Sequence, residues 1–179
     1  MYDNLHTLMD QLYPYRMTPA RLTYLRNYPH TIRYIMEHHT SELRTSSVEK
    51  IPTRSIPMKD DGNCLYRCIA WKIFNDPEQH QRIRNAIGVF AKTNPMIADE
   101  TLDYWIRISD EEHKSIDNYI KWVTRPKTFG GFFEMLLISN IFDILIIVVQ
   151  DGKEKYRTLK GSSRLYIGYI NDDHYFVLN

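Results

Sequence analysis

The chain has 179 residues, room for one domain with a sizeable core and too few for two of full size. Hydrophobic residues make up 43% and charged residues 25%, which excludes a disordered, collagen-like or coiled-coil chain. With 23 Lys+Arg against 22 Asp+Glu, the net charge of +1 leaves no basic excess for a general electrostatic binder of nucleic acid.

The opening MYDNLHTLMDQLYPYR carries acids early and no long apolar run, so no signal peptide is expected. The longest apolar run, Ile144 to Val149, is far too short to span a membrane. The 2 cysteines, Cys64 and Cys68, stand four apart, a poor geometry for a bridge within a helix. A disulfide scaffold is excluded, and a reducing compartment is expected.

In chain order, the first part is rich in Tyr, His and Arg: 6 of 13 tyrosines lie at or before Tyr34, and 4 of 7 histidines at or before His39. Three short helices are expected there: Asp3 to Leu12, one capped at Thr18-Pro19, and one from Pro29 carrying Ile32, Ile35 and Met36. Thr40 to Pro57 reads as a linker or extended arm. The expected division is a helical N-terminal extension over residues 1–55 and a second domain over 56–179.

From Cys64 the apolar pattern turns helical through Leu65, Ile69 and Ile73. Asp76-Pro77 caps a second helix with Ile83, Ile87 and Phe90 at helical spacing. Ser109 with Glu112 forms a capping box for a helix through Ile116, Tyr119, Ile120 and Val123. Phe129-Gly130-Gly131 leads into the helical FFEMLLISN. Then the period changes. Ile144 to Val149 predicts a buried strand ending at the turn Asp151-Gly152. Lys155 to Leu159, Leu165 to Ile170 and His174 to Leu178 follow as further strands. Helices first and a sheet last predict an α+β fold, with a helical lobe on a small central, mostly antiparallel sheet.

Cys64 follows Asp-Gly-Asn and opens a helix. The dipole and free N–H groups there favour a thiolate, so a lowered pKa is expected. The same N–H groups can hold an oxyanion, and Gly62 lets the backbone approach a substrate carbonyl. Against this stands a buried core cysteine that happens to start a helix. That reading suits Cys68, among Leu65, Ile69 and Trp71. Two cysteines without paired histidines are too few ligands for a metal, and no cofactor is expected. A thiolate needs a base. Six histidines lie on polar segments or helix ends, whereas His174 follows a turn and opens the apolar strand HYFVL. Nucleophile first and base 110 residues later is the order of papain-like cysteine hydrolases.

Asp61-Gly62-Asn63-Cys64-Leu65-Tyr66-Arg67 resembles the signature of the ovarian-tumour (OTU) family of deubiquitinating cysteine proteases. Thr128-Phe129-Gly130-Gly131 with Glu134 resembles that family's Trp-Gly-Gly…Glu element, with Phe129 in place of Trp, and His174-Tyr175 resembles its terminal His-aromatic pair. The resemblance spans roughly Ile56 to Asn179 and implies a papain-like OTU fold. It implies Cys64 as nucleophile, His174 as base and then acid, and Asp61, Gly62 and the Cys64 backbone around the oxyanion hole, with Asn63, Gly130 and Gly131 along the cleft. The family's imidazole orienter often stands two residues after the His, where this chain has Phe176. Asp61 is the expected substitute, with Asp60, Asn179 and Asp172 or Asp173 as alternatives.

The resemblance further implies a monomeric enzyme acting on ubiquitin and polyubiquitin chains, with neither nucleic acid nor membrane as partner. Its compact size resembles viral and bacterial members, which implies the host cytoplasm. Asp99 to Glu112 holds six acids against Arg107; it reads as a rim for the basic ubiquitin tail or as a solvated helix face. Trp71, Phe129 and Phe132 are expected in the core. Two other readings remain open: an OTU-like module that grips ubiquitin without turnover, and a papain-like hydrolase of another amide.

Overall fold

A computed structural model describes residues 50–94, 96–97, 100–103, 106, 115–158, 161–171 and 173–179. The chain divides into two compact units, residues 1–51 and 52–179. The three N-terminal helices, the Ser109–Glu112 capping pair and most of the acidic stretch lie outside the described residues.

The second unit begins at β1 (Ser55–Ile56). α1 (Cys64–Phe74) follows, then a 3-10 turn (Pro77–Gln79) and α2 (His80–Thr93). A small ribbon of β2 (Met96–Ile97) and β3 (Glu100–Thr101) precedes α3 (Ile116–Val123) and α4 (Phe132–Phe142). The main sheet is completed by β4 (Ile144–Gln150), β5 (Lys153–Arg157), β6 (Ser163–Ile170) and β7 (His174–Leu178).

Local chemistry sets the boundaries. Asn75 and Asp143 adopt left-handed backbone, with φ of 53° each, and end α1 and α4. Asp76 accepts the Glu78 N–H at 2.9 Å and starts the 3-10 turn. α3 is capped by Ser115, whose hydroxyl accepts the Asn118 N–H at 3.2 Å. Asp151 and Gly152, with φ of 52° and 72°, make the tight turn between β4 and β5.

The five-stranded sheet has the order β1-β7-β6-β4-β5. All its pairs are antiparallel except β4 with β6, which run parallel from Ile144↔Ser163 to Val149↔Gly168. The fold is α+β, as the order of elements predicts. β1 pairs with β7 through Ser55↔Leu178, and the Asn179 N–H reaches the Arg54 carbonyl at 2.8 Å. Ser55 and Ile56, within the stretch expected to be linker, are therefore sheet edge.

α1 packs on β7 and β6, α4 packs on β4, and α2 lies against α1, α3 and α4. Leu65, Tyr66, Cys68, Ile69, Ile83, Ile87, Leu137, Ile146 and Val148 are among the fully buried side chains. The start of α1 thus meets the start of β7 inside one core.

Candidate active site

The turn before α1 is held from two sides. Gly62 has φ of +77°, and a Cβ on it would lie 2.6 Å from the Lys127 carbonyl oxygen, so only glycine fits. Asp61 accepts the Asn63 N–H at 3.0 Å and the Arg67 Nη2 at 2.8 Å. Arg67 is 4% exposed and also meets Glu78 at 2.9 Å. The hydrogen bond from Arg67 holds the Asp61 carboxyl far below the usual carboxylate range. Asp61 is therefore committed to Arg67 and does not face the histidine, contrary to its expected place as orienter.

Asn63 turns inward and is 2% exposed. Its Oδ1 accepts the Lys127 N–H and an Arg84 N–H, each at 2.8 Å, and its own N–H is spent on Asp61. Through these bonds it locks the loop before α1.

Cys64 is 2% exposed. Its thiol reaches the Asp173 carbonyl at 3.9 Å, and the Tyr175 N–H also points to the sulfur. The sulfur therefore touches the backbone on both sides of His174. Burial pushes the Cys64 thiol above its ordinary pKa, and the Asp60 carboxylate adds to this. The N–H groups of Tyr175, Leu65 and Cys64 pull the other way without reversing it. The lowering expected from the helix start is thus not what the site shows: desolvation outweighs it.

His174 begins β7 opposite Ile170. Its Nδ1 is buried with no hydrogen-bond partner among the described residues, and the Asp60 Oδ1 lies 3.6 Å away. Asp60, one of the expected alternatives, is thus the carboxylate beside the imidazole. Asn179 is not. It lines a cavity with Trp71, Lys72 and Asn75 at the far end of α1, about 15 Å along an 11-residue helix. Asp173 contributes its carbonyl to the sulfur, and its side chain is exposed.

Gly130 packs on the first turn of α1; a Cβ there would lie 2.7 Å from Leu65 Cδ2 and 2.8 Å from Tyr66 Oη. Gly131 starts α4, and its N–H reaches the Glu134 Oε2 at 2.7 Å. Glu134 is buried, accepts the Tyr119 hydroxyl at 2.9 Å, and has a raised pKa through burial. Phe129 is 39% exposed beside this loop, not in the core as expected. Trp71 and Phe132 are half-buried, and Cys68 is fully buried.

Helix-start thiol, adjoining histidine and glycine loop are the parts of a cysteine hydrolase. The family model described as OTU-like cysteine protease matches residues 59–175. The chain belongs to the OTU family. A putative ubiquitin thioesterase of Tipula iridescent virus is 26% identical over 134 residues, 69% of this chain and 16% of that protein. OTU domain-containing protein 5-A of Danio rerio is 24% identical over 66% of this chain and 20% of its own length. The chain spans between 15% and 34% of the length of the curated relatives it matches. A solved OTU domain in complex with ubiquitin is 26% identical, with a TM-score of 0.57 over 70% of this chain and 68% of that one. The OTU protease of Dera Ghazi Khan virus shares the fold, with a TM-score of 0.56 over 70% of this chain and 80% of its own.

Within this OTU domain, sequence reasoning missed Arg84. It sits in the apolar stripe of α2 with Ile83, Ile87, Gly88 and Ala91, all buried. An arginine in such a stripe was the available signal.

Proposed function

We propose that this chain is a cysteine-dependent deubiquitinase that cleaves isopeptide bonds between ubiquitin and lysine side chains, polyubiquitin chains included, and works as a monomer. The observation that carries the reading is the Cys64 sulfur lying against the backbone on both sides of His174, within an OTU domain.

His174 takes the thiol proton, and the Cys64 sulfur attacks the carbonyl of the ubiquitin C-terminal glycine. The oxyanion is held by N–H groups at the start of α1, which lack intrahelical partners. Collapse breaks the C–N bond, and His174 returns its proton to the departing lysine amine. Water, deprotonated by His174, then hydrolyses the thioester and frees Cys64. Asp60 faces the imidazole Nδ1 and stabilises the imidazolium formed when His174 takes the thiol proton.

Ubiquitin bearing a C-terminal thiol-reactive group tests the reading. Wild type is expected to form a covalent adduct, and Cys64→Ala none. His174→Ala should hydrolyse a ubiquitin C-terminal amide at least about 100-fold more slowly. Binding without labelling or turnover would leave only a ubiquitin-gripping module, and indifference to ubiquitin would remove both readings.

A further inference from the structure

Arg84 takes no part in the chemistry above, yet it ties together the segments around the nucleophile. Its side chain is completely buried. Nη2 donates to the Gly62 carbonyl at 3.1 Å, the Asn63 Oδ1 at 2.8 Å and the Thr128 carbonyl at 2.7 Å. Nη1 donates to the Thr128 Oγ1 at 2.7 Å and the Val123 carbonyl at 3.1 Å. The guanidinium lies 3.7 Å over the Tyr66 ring.

This is a poor device for stability. No carboxylate among the described residues pairs with the cation, and its Nε is buried without a partner. Burial works against the charge. An apolar side chain at such a place often stabilises as well or better. What a guanidinium supplies is a rigid plane of donors that fixes several acceptors at once.

Apart from the Val123 carbonyl at the end of α3, the acceptors belong to the two loops beside Cys64. Residues 61–63 lead into α1. Residues 124–130 follow α3 and end at Gly130, against Leu65 and Tyr66. Arg84 grips the Gly62 carbonyl and Arg67 grips Asp61, which accepts the Asn63 N–H, so the Gly62–Asn63 peptide is fixed at both its C=O and its N–H. On the facing loop, Lys127 has φ of +66°, a conformation that costs a residue with a side chain about 1 kcal/mol or more. It is kept there by the Asn63 Oδ1 on its N–H and by Arg84 on the next carbonyl.

We propose that Arg84, acting with Asn63, is a positioning residue that sets the spacing of the two loops flanking Cys64. It thereby sets the geometry of the oxyanion site. The proposal rests on the deubiquitinase reading.

Hydrolysis of a ubiquitin C-terminal amide, with kcat and KM measured separately, tests it. Arg84→Gln is expected to lower kcat about 10- to 100-fold with KM within about threefold, since small misplacements near reacting atoms cost that much. Arg84→Lys should recover part of the loss. Because the two residues form one link, Arg84→Gln with Asn63→Ala should be no slower than the slower single variant, within about twofold. A folded Arg84→Gln with wild-type kcat, or losses that multiply in the double variant, would overturn the proposal. Should Arg84→Gln not fold, Asn63→Ala and Thr128→Val decide. Both keep the arginine, and each must lower kcat but not raise KM. A wild type without ubiquitin hydrolysis sinks the deubiquitinase reading and this one together; full turnover indifferent to Arg84 sinks this one alone.

Discussion

At the scale of residues, two adjacent aspartates have separate roles. Asp60 is 71% exposed and stands 3.6 Å from a buried imidazole nitrogen. Asp61 is turned the other way, onto Arg67. Successive residues in a turn point in different directions, so adjacency in sequence says little about which of them meets a distant histidine. The Asp60–His174 contact is an ion pair when the imidazole carries a second proton, as it does once it has taken the thiol's proton, the state that needs stabilising. An exposed partner at this distance is screened, so its effect is modest and sensitive to salt. Asp60→Asn should lower kcat about 3- to 10-fold at low ionic strength, leave Tm unchanged, and lose much of the wild type's salt dependence. Asp61→Asn should act on the fold instead, lowering stability by about 1–3 kcal/mol because the buried Arg67 loses one of its two carboxylates. Wild-type kcat in Asp60→Asn at low salt would discard the pairing.

At the scale of elements, β6 and β7 show why Phe176 cannot orient the base. It pairs with Gly168, and a Cβ on that glycine would lie 2.1 Å from the Phe176 Cζ. The ring fills the place of the missing side chain, so the position is spent on packing. Gly168→Ala should cost about 1–3 kcal/mol in urea unfolding. In a Phe176→Ala background the same change should cost much less, a non-additivity that marks direct contact. Equal costs in both backgrounds would refute the fit. The β7 strand itself was legible to the residue, as were the starts of α1 and β4, because turn residues and changes of apolar period mark them. β1 was not: two residues carry no period, and pairing with β7 makes them a strand. Nor was the parallel β4–β6 pair, since register between distant segments leaves no local pattern. The start of α3 was misplaced, because Ser109 and Ser115 are both good caps and sequence does not rank them. Cys64 and His174 stood out by motif and order. The inward turn of Asn63 did not, because it depends on Arg84 and Lys127 arriving from elsewhere in the chain.

At the scale of the whole molecule, Arg67 joins the turn before α1 to the 3-10 turn after it, through Asp61 and Glu78. Glu78 is lowered to about 2 by hydrogen bonds from Lys59 and Arg67, and Asp61 is held further down. Folded pKa values below the unfolded ones, 3.8 for Asp61 and 4.5 for Glu78, mean stability that is fully present above those values. That stability is lost as pH falls through 4 toward 2 and below. Glu134 has the opposite sign: burial raises its pKa, so acid relieves the cost of its charge. The net acid response mixes the two, and a variant is needed to separate them. Arg67→Met removes the cation but leaves Glu134 as it is. At pH 7 it should be less stable than wild type, because Asp61 and Glu78 lose their partner. As pH falls from about 4 to about 2, the difference should close or reverse, since protonated partners no longer reward a buried arginine. Urea unfolding of both proteins at pH 7, 4 and 2.5 measures this. Stability curves that stay parallel across the window would show that the Arg67 contacts do not set the acid response.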